Sequence, residues 1–218
     1  MRVLVFGDIH GNLPALEKLF RLENGNFDAF ICHGDIVNYG PWSEACVRLL
    51  TGMDHGTLLK GNHEDYFIAG KYPGQHPVAK AFFDFCYPKF DPSLVSILTQ
   101  FGQEKLLGDC TVKHTIGDRY IFEDTDIADL AIDRNYIIGH SHQQYERHIG
   151  NYKLCNTGSL GQNRKYIDQS CYLIADTEKQ IVARKSFICD IDRVINQMKS
   201  EKYPEICTGY YLSKARHG

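Results

Sequence analysis

Val3-Leu4-Val5-Phe6-Gly7-Asp8-Ile9-His10-Gly11-Asn12 is an apolar run that stops at a glycine and passes at once into carboxylate, imidazole and amide. The same event recurs three times. Ala29-Phe30-Ile31-Cys32 leads into His33-Gly34-Asp35, Thr57-Leu58-Leu59 into Gly61-Asn62-His63-Glu64, and Tyr136-Ile137-Ile138 into Gly139-His140-Ser141-His142. Short apolar runs closed by glycine read as buried strands. Polar side chains gathered where such strands end are where layered α/β folds keep their chemistry. Four endings of this kind in one chain point to one metal site.

The segments between these runs carry helical periodicity. Leu13, Leu16, Leu19, Phe20 and Leu22 share one face, with Pro14 suited to a first turn. Pro41 opens a second helix through Ala45, Val47, Leu49 and Leu50. From about residue 65 to 107, aromatics (Phe67, Phe82, Phe83, Phe85, Phe90) mix with prolines (Pro73, Pro77, Pro88, Pro92), which predicts a helical insertion. It is longer than an ordinary connection, so it reads as a lid over the site or as a cover for one sheet face. The second half reads as strands at residues 111–114, 119–122, 136–138, 145–149, 152–156, 171–175 and 181–185, spaced for hairpins. Helices resume after about residue 190, through Val194, Ile195 and Met198. The expected fold is α/β: one domain over residues 1–218, a four-layer αββα sandwich of two mixed β-sheets flanked by helices.

Charge balance narrows the partners. Lys and Arg number 24 against 27 Asp and Glu, a net charge of −3, with no polybasic block. A long nucleic acid or a membrane surface is therefore not expected as a partner. A small phosphoester or nucleotide is, because a metal supplies positive charge locally. There is no signal-peptide pattern and no apolar stretch long enough for a bilayer, so a cytoplasmic protein is expected. The eight cysteines form no C-x-x-C pair and read as free thiols. A composition of 43% apolar and 23% charged residues excludes a disordered chain.

Asp8 and His10 are spaced i, i+2, as are His140 and His142, and in an extended segment each pair shares a face. With Asp35, Asn62 and a later strand histidine, His114, they make seven oxygen and nitrogen ligands. Seven is too many for one tetrahedral zinc but suits two ions sharing a carboxylate. Two divalent transition-metal ions about 3.5–4 Å apart can hold a bridging hydroxide and clamp an in-line phosphoryl displacement. Manganese is the favoured metal, with iron, zinc, cobalt or nickel equally suited to the donor types. Formally, two such ions, two carboxylates and a hydroxide leave a single positive charge to attract a phosphate. Asn62 matters as a neutral ligand that preserves it.

The motifs GDIHGN, GDIVNYGP, GNHE, a lone strand histidine and GHSH occur here in the order that resembles the calcineurin-like metallophosphoesterases. Asn156-Thr157-Gly158-Ser159-Leu160-Gly161-Gln162-Asn163-Arg164 looks like the N-x-G-S-x-G-x-x-R turn of their small prokaryotic branch. The likeness spans about residues 1–176. It implies one ion held by Asp8, His10, Asp35 and His142, and a second held by Asp35, Asn62, His114 and His140. It also implies His63 near the leaving oxygen, as proton donor or as donor to the transition-state phosphate. Asn12, Asn38 and Arg164 are the expected substrate contacts. Two departures stand out. Asn38 and Tyr39 replace the aspartate and arginine of the larger protein phosphatases, which removes a phosphate clamp and argues against a phosphoprotein substrate. His114 is followed by Thr115 and Ile116, where the family has a glycine.

The expected activity is hydrolysis of a phosphodiester or nucleotide-type phosphoester. The alternatives are a phosphomonoesterase acting on a small molecule and a catalytically silent protein-interaction scaffold. Other phosphate chemistries leave no trace: there is no G-x-x-x-x-G-K-[ST] loop, and no cysteine with an arginine six residues on. Asp190-Ile191-Asp192-Arg193-Val194 has an aspartyl-phosphatase pattern but reads as a helix start. His33 reads as a hydrogen-bonded core histidine, Ser159 as part of a turn, and Glu64 and Asp65 as acids favouring a helix dipole.

Overall fold

The computed structural model describes residues 1–179 and 181–217. In chain order the elements are β1 (Arg2–Phe6), α1 (Leu13–Leu22), β2 (Ala29–Cys32), α2 (Ser43–Thr51), β3 (Gly56–Leu58), α3 (Asn62–Ala69), α4 (Pro77–Cys86) and α5 (Pro92–Leu98). They continue with β4 (Glu104–Leu107), β5 (Cys110–Lys113), β6 (Asn135–Ile138), β7 (Gln144–Ile149), β8 (Tyr152–Thr157), β9 (Gln169–Asp176), β10 (Ile181–Ile188), α6 (Ile191–Ser200) and α7 (Glu205–Leu212). Two mixed five-stranded sheets result, ordered β10-β9-β1-β2-β3 and β4-β5-β6-β8-β7.

β1 shows why its sequence is apolar without alternation: both of its faces are covered. Val3 and Val5 point into the layer between the sheets with Ile31, Val112, Ile137 and Leu173. Leu4 and Phe6 point outward into a larger cluster that takes in the buried faces of the helices. Each such side chain, fully withdrawn from water, contributes about 1.5–3 kcal/mol before chain entropy is counted. α1 begins where Asn12 accepts a hydrogen bond from the Ala15 N–H at 3.1 Å, and it buries Leu16 and Leu19. In the segment after β3, Phe67, Phe82, Phe83 and Phe90 are buried in that same outer cluster. No helix among the described residues is long and apolar enough to cross a membrane.

The two sheets are covered unequally. The outer face of the second sheet is capped by the irregular stretch 115–134, where Ile121 and Ile127 pack on Ile138, Tyr145 and Leu154. This corrects the strand expected at residues 119–122. Its backbone is bonded by side chains of the edge strand β7 in place of a strand ladder: Tyr145 Oη donates to Ile121 O at 2.7 Å and Arg147 Nη1 to Thr125 O at 2.8 Å. Tyr145→Phe is expected to lower stability by about 1–2 kcal/mol, because it orphans a buried carbonyl. A urea titration checks this, and an unchanged midpoint would show that the stretch is held elsewhere. A second correction concerns residues 104–107, expected at the end of the helical insertion. They form β4, joined to β5 by a tight turn with Gly108 at φ +60°.

Candidate metal centre

Positive φ recurs at Asp8 (49°), His10 (48°), Asp35 (53°), Asn38 (72°), Tyr39 (63°), His140 (65°) and His142 (57°). The left-handed region costs of order 1–3 kcal/mol for a residue with a Cβ, and Asp, Asn and His tolerate it best. The i, i+2 pairs therefore converge for a reason other than the expected one. β1 ends at Phe6 and β6 at Ile138, so neither pair lies in a strand; each residue is aimed by its own left-handed kink.

Three turns laced together hold that strain. The N–H groups of Asp8, His10 and Gly11 donate to Gly34 O, Asp35 O and Ile36 O, each at 2.9 Å. From the turn after β8, Leu160 and Gly161 donate to Gly7 O and Asp8 O at 3.0 Å. Ser159 Oγ donates to Asp8 O at 2.7 Å, so Ser159 is scaffold. Gly61 is required where α3 meets the second turn, because a Cβ there would lie 2.2 Å from Asp35 Oδ1.

Two buried groups of ligand-type atoms result: Asp8, His10, Asp35 and His142, and Asp35, His114 and His140, each group's atoms within 4.8 Å of one another. Asp35 belongs to both. Asn62 adds its Oδ1 to the second, 3.0 Å from His114 Nε2. In the first group, His10 Nδ1 donates to Val37 O at 3.3 Å and His142 Nδ1 to Gln162 O at 2.7 Å. A carbonyl oxygen only accepts, so each ring donates through Nδ1 and turns Nε2 toward the cluster, where the neutral form has a lone pair to offer. These two Nε2 atoms face each other at 3.1 Å. Asp8 Oδ1 lies 3.3 Å from His142 Nε2, and Asp35 Oδ2 lies 3.7 Å from His10 Nε2. Converging lone pairs repel one another when left alone and become ligands around a cation. The donor set fits a divalent metal.

The charges agree with this. Burial works against the Asp8 and Asp35 carboxylates, yet His142 beside Asp8 and His114 beside Asp35 hold both below the usual carboxylate range. Burial likewise opposes charge on His114, but Asp35 lifts it to about 9. Burial, then the charge on His114, depresses His140 to about 3. One proton on His114, 3.0 Å from His140 Nδ1, thus supplies positive charge where a cation fits.

His63 is buried at the start of α3. Its N–H donates to Asp35 Oδ1 at 2.9 Å, and its Nε2 lies 4.0 Å from Asp35 Oδ2. Asn38, expected at the substrate, instead donates through Nδ2 to His63 Nδ1 at 3.0 Å, which leaves the ring proton on Nε2, facing the cluster. Asn12, also expected there, is fully buried with both ends of its amide engaged, on the Ala15 N–H and on Gly161 O. Arg164 is exposed at the rim, 4.9 Å from the ring of Tyr120, which itself stacks on His140 at 4.0 Å. His33 is a core residue bonded to Thr157 Oγ1 at 2.7 Å.

The sequence predicts Glu64 as an acid favouring the dipole of α3, and its place is different. It is fully buried, and its carboxylate accepts from the N–H groups of Asp35 (2.7 Å), Ile36 (2.7 Å), Val37 (3.2 Å) and Gly61 (2.8 Å). Burial and Asp35 push its pKa up to about 7, and these donors oppose the rise. The available signal was its position three residues after Gly61, where a Glu reaches back to the N-cap amide.

The family model for calcineurin-like phosphoesterases matches residues 1–144, and the chain belongs to that metal-dependent family. An uncharacterized protein of Methanocaldococcus jannaschii is 27% identical over 93% of this chain and 94% of its own length. Among solved structures, a metallophosphoesterase from Sphaerobacter thermophilus superposes with a TM-score of 0.78 at 24% identity, covering 98% of both chains. A hypothetical protein from Pyrococcus horikoshii OT3 gives 0.79 at 17% identity, covering 98% of this chain and 99% of that one.

Proposed function

We propose that the protein is a dinuclear metal-dependent phosphoesterase that hydrolyses a phosphodiester or nucleotide-type phosphoester. The observation that carries this reading is the convergence of His10 Nε2 and His142 Nε2, 3.1 Å apart, beside the Asp8 and Asp35 carboxylates. Asp8, His10, Asp35 and His142 would hold one ion. Asp35, Asn62, His114 and His140 would hold the second, with Asp35 shared. When bound, the ions supply an activated water at neutral pH and neutralise charge on the phosphoryl oxygens.

The chain's own groups do the rest. His63, its tautomer set by Asn38, presents Nε2–H to the cluster and donates to the phosphoryl oxygens or the leaving oxygen as charge develops. Tyr39 stands edge-on to His10 (4.9 Å) and His63 (5.2 Å), in the sequence place of a phosphate-clamping arginine. A site without that cation suits the single charge of a diester better than the double charge of a monoester or a phosphoprotein.

The test is hydrolysis of bis-p-nitrophenyl phosphate beside p-nitrophenyl phosphate by manganese-loaded protein, with a chelated control. Diester turnover that vanishes with chelator is expected. A preference for the monoester would move the reading to a phosphomonoesterase, and bound metal with no turnover of either would move it to a silent scaffold. His63→Ala is expected to lower kcat by about 10²-fold or more with metal content unchanged. A matching loss of metal would make His63 a structural support of the centre instead.

A further inference from the structure

A cavity of about 500 Å³ opens directly beside the second group of ligands, with Asn62, His114 and His140 at one end. That volume lies within the range of small-ligand sites. Two tyrosines line it: Tyr66, whose ring stands 5.3 Å from His63, and Tyr120, stacked on His140. Tyr120 is 50% exposed, so the ring keeps open surface although it belongs to the site. An open ring in a ligand-sized cavity is free to pack against something bound there.

Charge decides what that something is. Away from the metal ligands, the charged side chains lining the cavity are Lys60 and Lys113 against Asp65 and Asp118. Lys60 pairs with Asp65 at 3.5 Å, and Lys113 with Glu104 at 3.3 Å. Both lysines are thus already engaged by a carboxylate, so away from the metal ligands the wall offers no free cation to a second phosphate or an acidic peptide. It does suit a neutral, flat group with a polar edge. Gln103 makes no side-chain hydrogen bond among the described residues, and it lines the same cavity.

On the reading of the centre as a phosphoesterase, we infer that this cavity is the subsite for a nucleoside: the substrate's phosphate lies at the Asp/His clusters and its base lies between Tyr66 and Tyr120. Aromatic stacking recognises the flat face of any base, and the amide and carboxylates at the wall meet its edge. The substrate class is then a nucleoside phosphoester carrying one phosphate at the centre, not a polyphosphate.

The decisive comparison uses adenosine 5′-methyl phosphate and ribose 5-methyl phosphate, singly charged diesters that differ only in the base. With manganese-loaded protein, kcat/KM is expected to favour the adenosine ester about 10- to 100-fold. Gln103→Trp, which fills the cavity from an exposed position, is expected to abolish that preference. Equal rates for the two esters, or a variant that slows both alike, would overturn the subsite. If neither ester is hydrolysed, it is the hydrolase reading that fails. The subsite is then decided by calorimetric titration of the same two compounds: tighter binding of the adenosine ester that is lost in Gln103→Trp supports it, and equal affinity overturns it.

Discussion

Asp35→Asn is expected to reduce metal-dependent hydrolysis by at least about 10³-fold, some 4 kcal/mol of transition-state stabilisation. Asp35 is the one carboxylate common to both ligand groups. Its Oδ2 lies 3.4 Å from His114 Nε2 and 3.7 Å from His10 Nε2, while its Oδ1 accepts the N–H of His63 at 2.9 Å. Asparagine keeps the shape and one acceptor but replaces the other with an amide donor and removes a full negative charge. Either orientation fails: with the oxygen toward His63 N–H, an NH₂ group points at the metal site, and in the flip the amide meets the His63 N–H donor to donor. Metal content by mass spectrometry should fall below that of the wild type, with far-ultraviolet circular dichroism unchanged. Full activity with full metal content would show that the two groups do not share this carboxylate, and the dinuclear reading would go with it.

The parts of this site that were legible in the sequence are those that coordination chemistry restricts to a few residue types. Asp8, His10, Asp35, Asn62, His114, His140 and His142 could be named because few other side chains offer such donors, and because each follows an apolar run or lies on one. Their backbone was not legible. Positive φ at non-glycine residues such as His140 and His142 is set by lacing between turns far apart in sequence, such as His10 N–H to Asp35 O; Asp, Asn and His permit that conformation, but their local propensity does not place it. The same limit bears on Asn12 and Asn38, expected as substrate contacts. An asparagine beside a ligand serves a helix cap or a histidine tautomer as readily as a phosphate, and only the partner across the fold decides. The sheets were legible from their apolar runs. The stretch 115–134 was not, because Ile121 and Ile127 satisfy a cover as well as a strand.

Glu64 is the residue whose loss is expected to damage the protein most outside the ligand set. Four backbone N–H groups, from Asp35, Ile36, Val37 and Gly61, converge on its carboxylate at 2.7–3.2 Å with no access to solvent. Charge-assisted bonds of this kind are the strong ones, and donors left behind in a dry site bear the full cost of desolvation. Glu64→Ala removes every acceptor at once and should destabilise the apoprotein by about 3–5 kcal/mol. Glu64→Gln keeps the volume and one oxygen but turns an NH₂ group toward donors, so about 2 kcal/mol is expected. The order of the two separates hydrogen bonding from packing, because Gln preserves packing almost entirely. Since these amides fix the turn that carries Asp35, the Gln variant should also bind metal more weakly while still folded. Urea titrations with chelator, and metal titrations of the folded Gln variant, measure the two effects. A Gln variant as stable as wild type, with unaltered metal affinity, would mean that the carboxylate's charge is not what holds the turn, and that Glu64 acts by filling space alone.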